Sequence, residues 1–224
     1  MKKEEIKTKQ TEQDKNTQNK IAKYLLNIKA VILSPEKPFT WASGIKSPIY
    51  CDNRLTLSFP EVRSYIENEM CKVIKEQFTE CEMLMGTATA GIPHAAIMAH
   101  MLNLPMGYVR SSAKKHGRAN QVEGLIKEGI KVVVIEDLIS TGKSAIEAVE
   151  VLRKLGCNVL GIASIFSYEL QSGIENLKEK EIKNISLCNY DSLIKTAAEM
   201  GYIEKDTMPK LKAWRENPHL WLEN

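Results

Sequence analysis

Glu136 and Asp137 stand side by side at the end of an apolar, mostly β-branched run, Val132 to Ile135, and lead into Leu138-Ile139-Ser140-Thr141-Gly142-Lys143-Ser144. Adjacent carboxylates at the C-terminal end of a buried strand can accept hydrogen bonds from ribose hydroxyls. The turn after them opens a helical pattern, Ala145, Ile146, Ala148, Val149 and Leu152. Backbone N–H groups at a helix start attract a phosphate. Strand, acid pair, small-residue turn and helix start, in that order, make a site for a sugar phosphate. Gly142-Lys143-Ser144 also ends like a P-loop, but that pattern needs glycine at 137, where Asp137 stands. Two acids on a buried strand are costly to place unless something uses them.

Two further segments carry chemistry. Gly86-Thr87-Ala88-Thr89-Ala90-Gly91 follows one strand and precedes a helix, and every residue in it is small. A backbone of this kind lets a bulky anion approach closely; a tight strand-to-helix turn has the same composition. Between Tyr108 and Gly124 lie Arg110, Lys114, Lys115, His116 and Arg118, with no acid until Glu123. Such a stretch suits a lid that closes over a multiply charged anion and excludes water, and a solvated basic loop reads the same way. Residues 39–54 show by themselves only a hairpin punctuated by Gly44 and Pro48.

The elements that must position these groups follow from hydrophobic spacing. Ile21, Tyr24, Leu25, Ile28, Val31 and Ile32 predict an amphipathic helix ended by Pro35 and Pro38. A hairpin is expected around Ser43-Gly44, with residues 48–51 as its second strand, then a helix over 60–77. Strand 82–85, helix 92–102, strand 106–110 and a polar stretch 111–129 come next. Strand 131–136, helix 143–155, strand 158–166, a helix near 170–179, strand 182–187 and a helix near 190–200 complete the pattern. Residues 204–222 are expected to be partly helical, with Trp214 and Trp221 packing back. Alternating strands and helices imply an α/β fold, a mainly parallel central sheet flanked by helices.

The chain of 224 residues, 43% hydrophobic and 26% charged, suits one α/β domain with a substantial core. No apolar run is long enough to span a membrane, and no signal-peptide core is seen at the N-terminus. Five scattered cysteines without C-x-x-C pairs fit free thiols in a reducing cytoplasm. The four histidines have no metal-ligand spacing. Residues 1–20 hold six Lys and four acids and so supply +2 of the net +3. The near-neutral remainder argues against nucleic acid as a partner. This polar segment is expected to be a disordered extension, with a charged helical arm as the other reading.

Together the motifs resemble those of the orotate phosphoribosyltransferases, within the type I phosphoribosyltransferase family. Val133-Val-Ile-Glu-Asp-Leu-Ile-Ser-Thr-Gly-Lys-Ser144 is similar to the family's phosphoribosyl-pyrophosphate (PRPP) motif. Arg110-x-x-x-Lys114-x-His116-Gly117 resembles its catalytic loop, and Phe39-Thr…Ser-Gly-x-Lys-Ser-Pro-x-Tyr-x-Asp52 its N-terminal hood. The resemblance spans about residues 21–200. It implies the type I phosphoribosyltransferase fold, with a hood from about 21–59, a core from about 60–200 and a C-terminal helical segment 201–224.

The resemblance also implies roles. PRPP would be bound by Arg110, Lys114, His116, Glu136, Asp137 and residues Leu138 to Ser144, that is Leu138, Ile139, Ser140, Thr141, Gly142, Lys143 and Ser144. Lys114, His116 and Asp137 would be catalytic, and Thr87, Ala88, Thr89, Ala90 and Gly91 would form the pyrophosphate loop. Orotate would meet Ser140, Tyr50 and Cys51. Mg²⁺ is the implied cofactor, held mainly by PRPP and water near Glu136 and Asp137, with no direct side-chain ligation. A homodimer that shares the basic loop across its interface is the implied assembly, and the cytoplasm the implied location. The implied reaction gives orotidine 5′-monophosphate and pyrophosphate in pyrimidine biosynthesis.

Lysines common in the family are replaced at Ala42, Ala90 and Ser111. An orotate-contacting arginine is replaced near Tyr168, and Lys46 or Arg54 is left to meet the orotate carboxylate. A purine phosphoribosyltransferase and a PRPP-sensing nucleic-acid-binding regulator are the alternatives on the same fold.

Overall fold

The computed structural model of the chain describes residues 2–41, 44–111, 121–218 and 221, with side chains from residue 14 onward. In chain order the elements are α1 (Lys2–Asn27), β1 (Val31–Leu33), β2 (Phe39–Thr40), β3 (Lys46–Ser47), β4 (Ile49–Cys51), α2 (Pro60–Gln77), β5 (Met83–Thr87), α3 (Gly91–Leu102), β6 (Met106–Val109) and β7 (Val122–Glu123). They continue with β8 (Lys131–Ile139), α4 (Lys143–Lys154), β9 (Asn158–Ser167), α5 (Gln171–Glu179), β10 (Asn184–Asn189), α6 (Tyr190–Glu199) and α7 (Met208–Glu216). Two compact units emerge: Met1–Arg63 with Leu187–Asn224, and Ser64–Ser186. No helix among the described residues is long and apolar enough to cross a membrane, and none of the five cysteines forms a disulfide.

In the first unit, β1 pairs antiparallel with β4 and β2 with β3. The expected helix therefore stops short of Val31 and Ile32, which belong to β1. The helix is closed by Lys29, in the left-handed region at φ 57°, whose N–H reaches the Leu26 carbonyl at 3.1 Å. The expected single hairpin is likewise split between two strand pairs, because β4 turns to β1 and leaves β3 to close on β2.

For residues 1–20, where a disordered extension and a charged helical arm were the two readings, α1 starts at Lys2, and Gln18 and Asn19 accept hydrogen bonds from Ser192 and Thr196 of α6 at 2.8 and 3.5 Å. Ile21, Ala22 and Leu25 of α1 and Leu193, Ile194 and Ala197 of α6 are buried, and the two helices are in contact. The stretch from Leu187 onward thus groups with Met1–Arg63. Trp214 packs back as expected. It is fully buried, lies edge-on to Trp41 at 5.6 Å and donates from Nε1 to the Lys46 carbonyl at 3.0 Å.

The second unit holds the central sheet up to the first half of β10. Its strand order is β10-β9-β8-β5-β6-β7, with β9, β8, β5 and β6 parallel in succession and β7 antiparallel at the edge. β7 was not expected; it lies in the stretch read as polar loop. Val132 and Val134 of β8, Met83 and Met85 of β5 and Ile162 of β9 meet the apolar stripe of α4, namely Ala145, Ile146, Ala148, Val149 and Leu152. The helical spacing read in this segment is that stripe. Elsewhere in the unit, His94 of α3 is tied to Glu67 of α2 through a buried Nδ1–Oε1 contact of 2.5 Å.

From β5 the chain steps one way to β6 and β7. It then returns to the other side of β5 for β8 and continues outward to β9 and β10. In an open parallel sheet such a reversal leaves a crevice beyond the carboxyl ends of the two strands where direction changes. Here those strands are β5 and β8.

Replacing Trp214 by alanine removes a fully buried indole and leaves the Lys46 carbonyl without that donor. We expect Trp214→Ala to lose about 3–5 kcal/mol of stability, read as a lowered urea midpoint, with Trp214→Phe losing less. An unchanged midpoint would contradict this account of the first unit.

Candidate active site

At the reversal, β5 and β8 run in register only as far as Gly86 and Ile135. Beyond that point β8 pairs on one side alone, with β9, through Glu136↔Ser164 to Ile139↔Ser167. The strand is therefore longer than the run 131–136 read from the sequence. Glu136 and Asp137 lie inside it, at the place where its β5 side opens. The parting is held by side chains. Thr87 Oγ1 donates to the Ile135 carbonyl at 3.2 Å, and Gly91 sits so close that a Cβ there would collide with that oxygen and with Thr87 Oγ1. Only glycine lets α3 begin against β8 in this way.

Thr87 was expected in the pyrophosphate loop. Its backbone is in that turn, but its side chain is 4% exposed and turned inward to Ile135. The rest of the turn is open, with Thr89 exposed and Ala88 and Ala90 half-buried. Ala88 N–H donates to the Val109 carbonyl at 2.8 Å, and the Ala88–Thr89 peptide bond is cis. α3 starts at Gly91 with no side-chain cap from Ala90.

The second turn has the same character. Gly142, at φ 76°, precedes α4 and offers no side-chain cap. The amides of Thr141, Gly142, Lys143 and Ser144 have no acceptor among the described residues. Ser140 and Thr141 are half-buried, and Lys143 and Ser144 are exposed. Ile139 is buried in the core and its carbonyl is taken by Tyr168 N–H at 2.9 Å. It thus belongs to the scaffold of this turn, whereas Leu138 is half-buried. Two uncapped helix starts, with the acid pair on β8 after it leaves β5, form a crevice suited to a ligand carrying phosphates and hydroxyls.

Glu136 is 5% exposed and accepts the Asp137 N–H at 3.0 Å. Burial pushes its carboxyl up to about 8, with the neighbouring Asp137 charge adding to the rise and the Thr87 hydroxyl opposing it.

Arg110 follows β6. Its N–H donates to the Gln121 carbonyl at 2.7 Å, and its guanidinium faces Glu123 at 3.6 Å. With Tyr108↔Glu123 and Val109↔Val122 paired, both ends of the basic segment are pinned at one edge of the sheet. Ala88, Arg110, Ser111, Gln121, Ser144 and Glu147 share the lining of an open cleft. The structure therefore brings together the small-residue turn after β5, the arginine that opens the basic segment and the start of α4. Glu123 and Gln121 were missed as partners of Arg110; Glu123, the first acid after five cations, is the signal that could have found them. Lys114, Lys115 and His116 lie outside the described residues, as does Ala42.

Tyr50 and Cys51 belong to the first unit, on β4. Tyr50 is 43% exposed and stacks with Phe39 at 5.7 Å, and Cys51 Sγ meets Asn53 Oδ1 at 3.3 Å. Of the two cations expected to meet a carboxylate, Arg54 is held by Asp52 through two contacts of 2.6 and 2.8 Å, and Lys46 donates to Thr40 Oγ1 at 2.7 Å. Tyr168 is buried with its ring edge-on to Phe166, so it presents no exposed side chain in place of the family arginine.

Comparison with known proteins shows the family. Residues 61–200 match the model of the phosphoribosyl transferase domain. The chain is 58% identical over 198 residues to the orotate phosphoribosyltransferase of Bacillus subtilis, covering 88% of this chain and 92% of that protein. It is 55% identical over 204 residues to the orotate phosphoribosyltransferase of Listeria innocua, covering 91% and 98%. Among solved structures, that of orotate phosphoribosyltransferase from Aeropyrum pernix superposes with a TM-score of 0.70 at 31% identity, over 82% of this chain and 99% of that one.

The raised Glu136 carboxyl has a stability consequence. A folded-state value of about 8 against the ordinary 4.5 of a glutamate means that the folded chain holds this proton where the unfolded chain has lost it. The contribution is intact below the unfolded value and declines as pH rises towards 8. Glu136→Gln, which cannot lose a proton, should gain stability relative to the parent between pH 5 and pH 8.5 in urea titrations. Parallel curves would show that Glu136 ionises normally.

Proposed function

Since the chain belongs to the phosphoribosyl transferase family, and within it to the orotate phosphoribosyltransferases, we propose that it transfers the phosphoribosyl group of PRPP to orotate, giving orotidine 5′-monophosphate and pyrophosphate in pyrimidine biosynthesis. The observation that carries the mechanism is the crevice at the β5–β8 parting, where an acid pair lies with two uncapped helix starts. PRPP has matching chemistry: a 5′-phosphate, a ribose diol and a 1′-pyrophosphate. The turn Ser140 to Ser144 takes the 5′-phosphate on the amides of Thr141 to Ser144. Glu136 and Asp137 hold the ribose hydroxyls. The loop Thr87 to Gly91 supports the pyrophosphate through backbone groups, because Ala90 stands where a cation is common, and Arg110 faces the same cleft.

The reaction is a displacement at the anomeric carbon. The orotate ring nitrogen gives up its N–H proton and forms the new bond as the bond to the pyrophosphate oxygen breaks, through an oxocarbenium-like transition state, the departing pyrophosphate gaining a proton in balance. The protein's contribution is to hold nitrogen, carbon and leaving oxygen in line and to stabilise charge that develops on the pyrophosphate. Lys114 or His116 supplies a proton to the departing pyrophosphate. Ser140 hydrogen-bonds orotate, and Tyr50 and Cys51 of the hood line its ring.

Mg²⁺ fits this donor set as an ion that arrives on PRPP. Its ligands would be mainly phosphate oxygens of PRPP and water, with Glu136 and Asp137 the carboxylates beside it. When bound, Mg²⁺ neutralises charge on the leaving group. We further propose that the chain works as a homodimer in which the basic segment of one subunit serves the site of the other.

Orotate consumption is followed by its ultraviolet absorbance and should depend on PRPP and Mg²⁺. Lys114→Ala and Asp137→Asn should each lower turnover about tenfold or more; near-normal rates in both would remove these assignments. Mixing the two variants should restore part of the activity if the basic segment is shared between subunits, and no restoration would place each site within one chain.

A further inference from the structure

Helix α5 supplies no residue to the crevice described above, yet it holds the back of the phosphate turn. A Cβ at Gly173 would collide with the Ser140 carbonyl oxygen and lie 3.5 Å from Thr141 Cα, so the helix backbone sits directly against the turn. Three residues on, Asn176 Nδ2 donates to the Thr141 carbonyl at 3.0 Å. One residue further, Leu177 is 8% exposed and backs Gly142, whose Cβ, if built, would lie 3.5 Å from Leu177 Cγ. Positions 173, 176 and 177 share one helical face, and each meets a successive residue of the turn.

The flanking carbonyls are also engaged. Ile139 accepts from Tyr168 N–H and Gly142 accepts from Ile146 N–H, both at 2.9 Å. A trans peptide is planar, with its C=O and N–H pointing in opposite directions. Turning the Ser140 and Thr141 carbonyls to α5 therefore turns the Thr141 and Gly142 N–H groups away from it. Those are the first two of the four amides with no acceptor among the described residues. The donors offered to a phosphate are aimed from behind.

We propose that Gly173 and Asn176 are positioning residues for the 5′-phosphate, fixing the peptide planes of the turn so that its amides face the ligand. The proposal rests on the reading of residues 140–144 as the 5′-phosphate site. Neither residue touches substrate; both act through the turn. Asn176 is exposed, which makes its substitution mild for folding, whereas Gly173→Ala forces a methyl group into a carbonyl and serves as the severe variant.

Binding of ribose 5-phosphate and of inorganic pyrophosphate is measured by calorimetry on the full chain, beside steady-state kinetics with PRPP and orotate. Asn176→Ala should weaken ribose 5-phosphate binding and raise KM for PRPP by about three- to tenfold, the effect of one lost hydrogen bond. Pyrophosphate affinity, KM for orotate and the melting temperature should stay near the parent values. Asn176→Asp, which replaces the donor by an acceptor, should be at least as weak as Asn176→Ala, and Gly173→Ala weaker still. If Asn176→Ala binds ribose 5-phosphate as the parent does, or loses pyrophosphate affinity in parallel, the proposal is overturned while the reading of the turn stands. If the parent chain itself does not bind ribose 5-phosphate, the reading falls and the proposal with it.

Discussion

The carbonyl oxygen of Ile135 is the contact on which the crevice depends. The Thr87 hydroxyl donates to it, Gly91 packs on it without room for a methyl group, and the register between β5 and β8 ends beside it. Upstream, the β5 turn and the start of α3 are pressed onto β8; downstream, Glu136 and Asp137 emerge on the strand where its neighbour has gone. A side chain at position 91 would separate the two turns. Loss of the Thr87 hydroxyl would free a buried carbonyl at the same place, the costly kind of unmade hydrogen bond.

The same arrangement explains why a buried acid is tolerated. Glu136 resists ionisation because it is removed from water and lies beside Asp137. A protonated carboxyl costs far less to bury than a carboxylate, which is the direction in which the Glu136 carboxyl is pushed.

Much of the site was legible because its signals are local. A β-branched run, two acids, a small-residue turn and a 3.6-residue period announce β8, the turn and α4 within a single stretch, and Gly86 to Gly91 announces the other turn. What was not legible depends on partners distant in sequence. Val31 and Ile32 continue a helical spacing, and only pairing with Tyr50 and Cys51 makes them a strand. Val122 and Glu123 become β7 because β6 is there to receive them. The affinity of residues beyond 187 for α1, and the inward turn of Thr87, are likewise tertiary facts. Gly173 and Asn176 carry no motif at all; their importance appears only when Ser140 and Thr141 are found beside them.

Because the start of α3 is pressed onto the Ile135 carbonyl of β8, and β8 itself runs on into the turn that opens α4, the two uncapped helix starts are tied to one strand and act as two jaws rather than as independent anion sites. A molecule bearing both anionic groups gains from the second contact as an intramolecular event, whose advantage depends on the match between its length and the gap. Fragments that fill one jaw forgo that gain, however good the single fit. In the proposed reaction, cleavage converts a ligand gripped at both ends into two held at one end each, so a rigid span between jaws favours retention of the intact molecule and departure of its pieces.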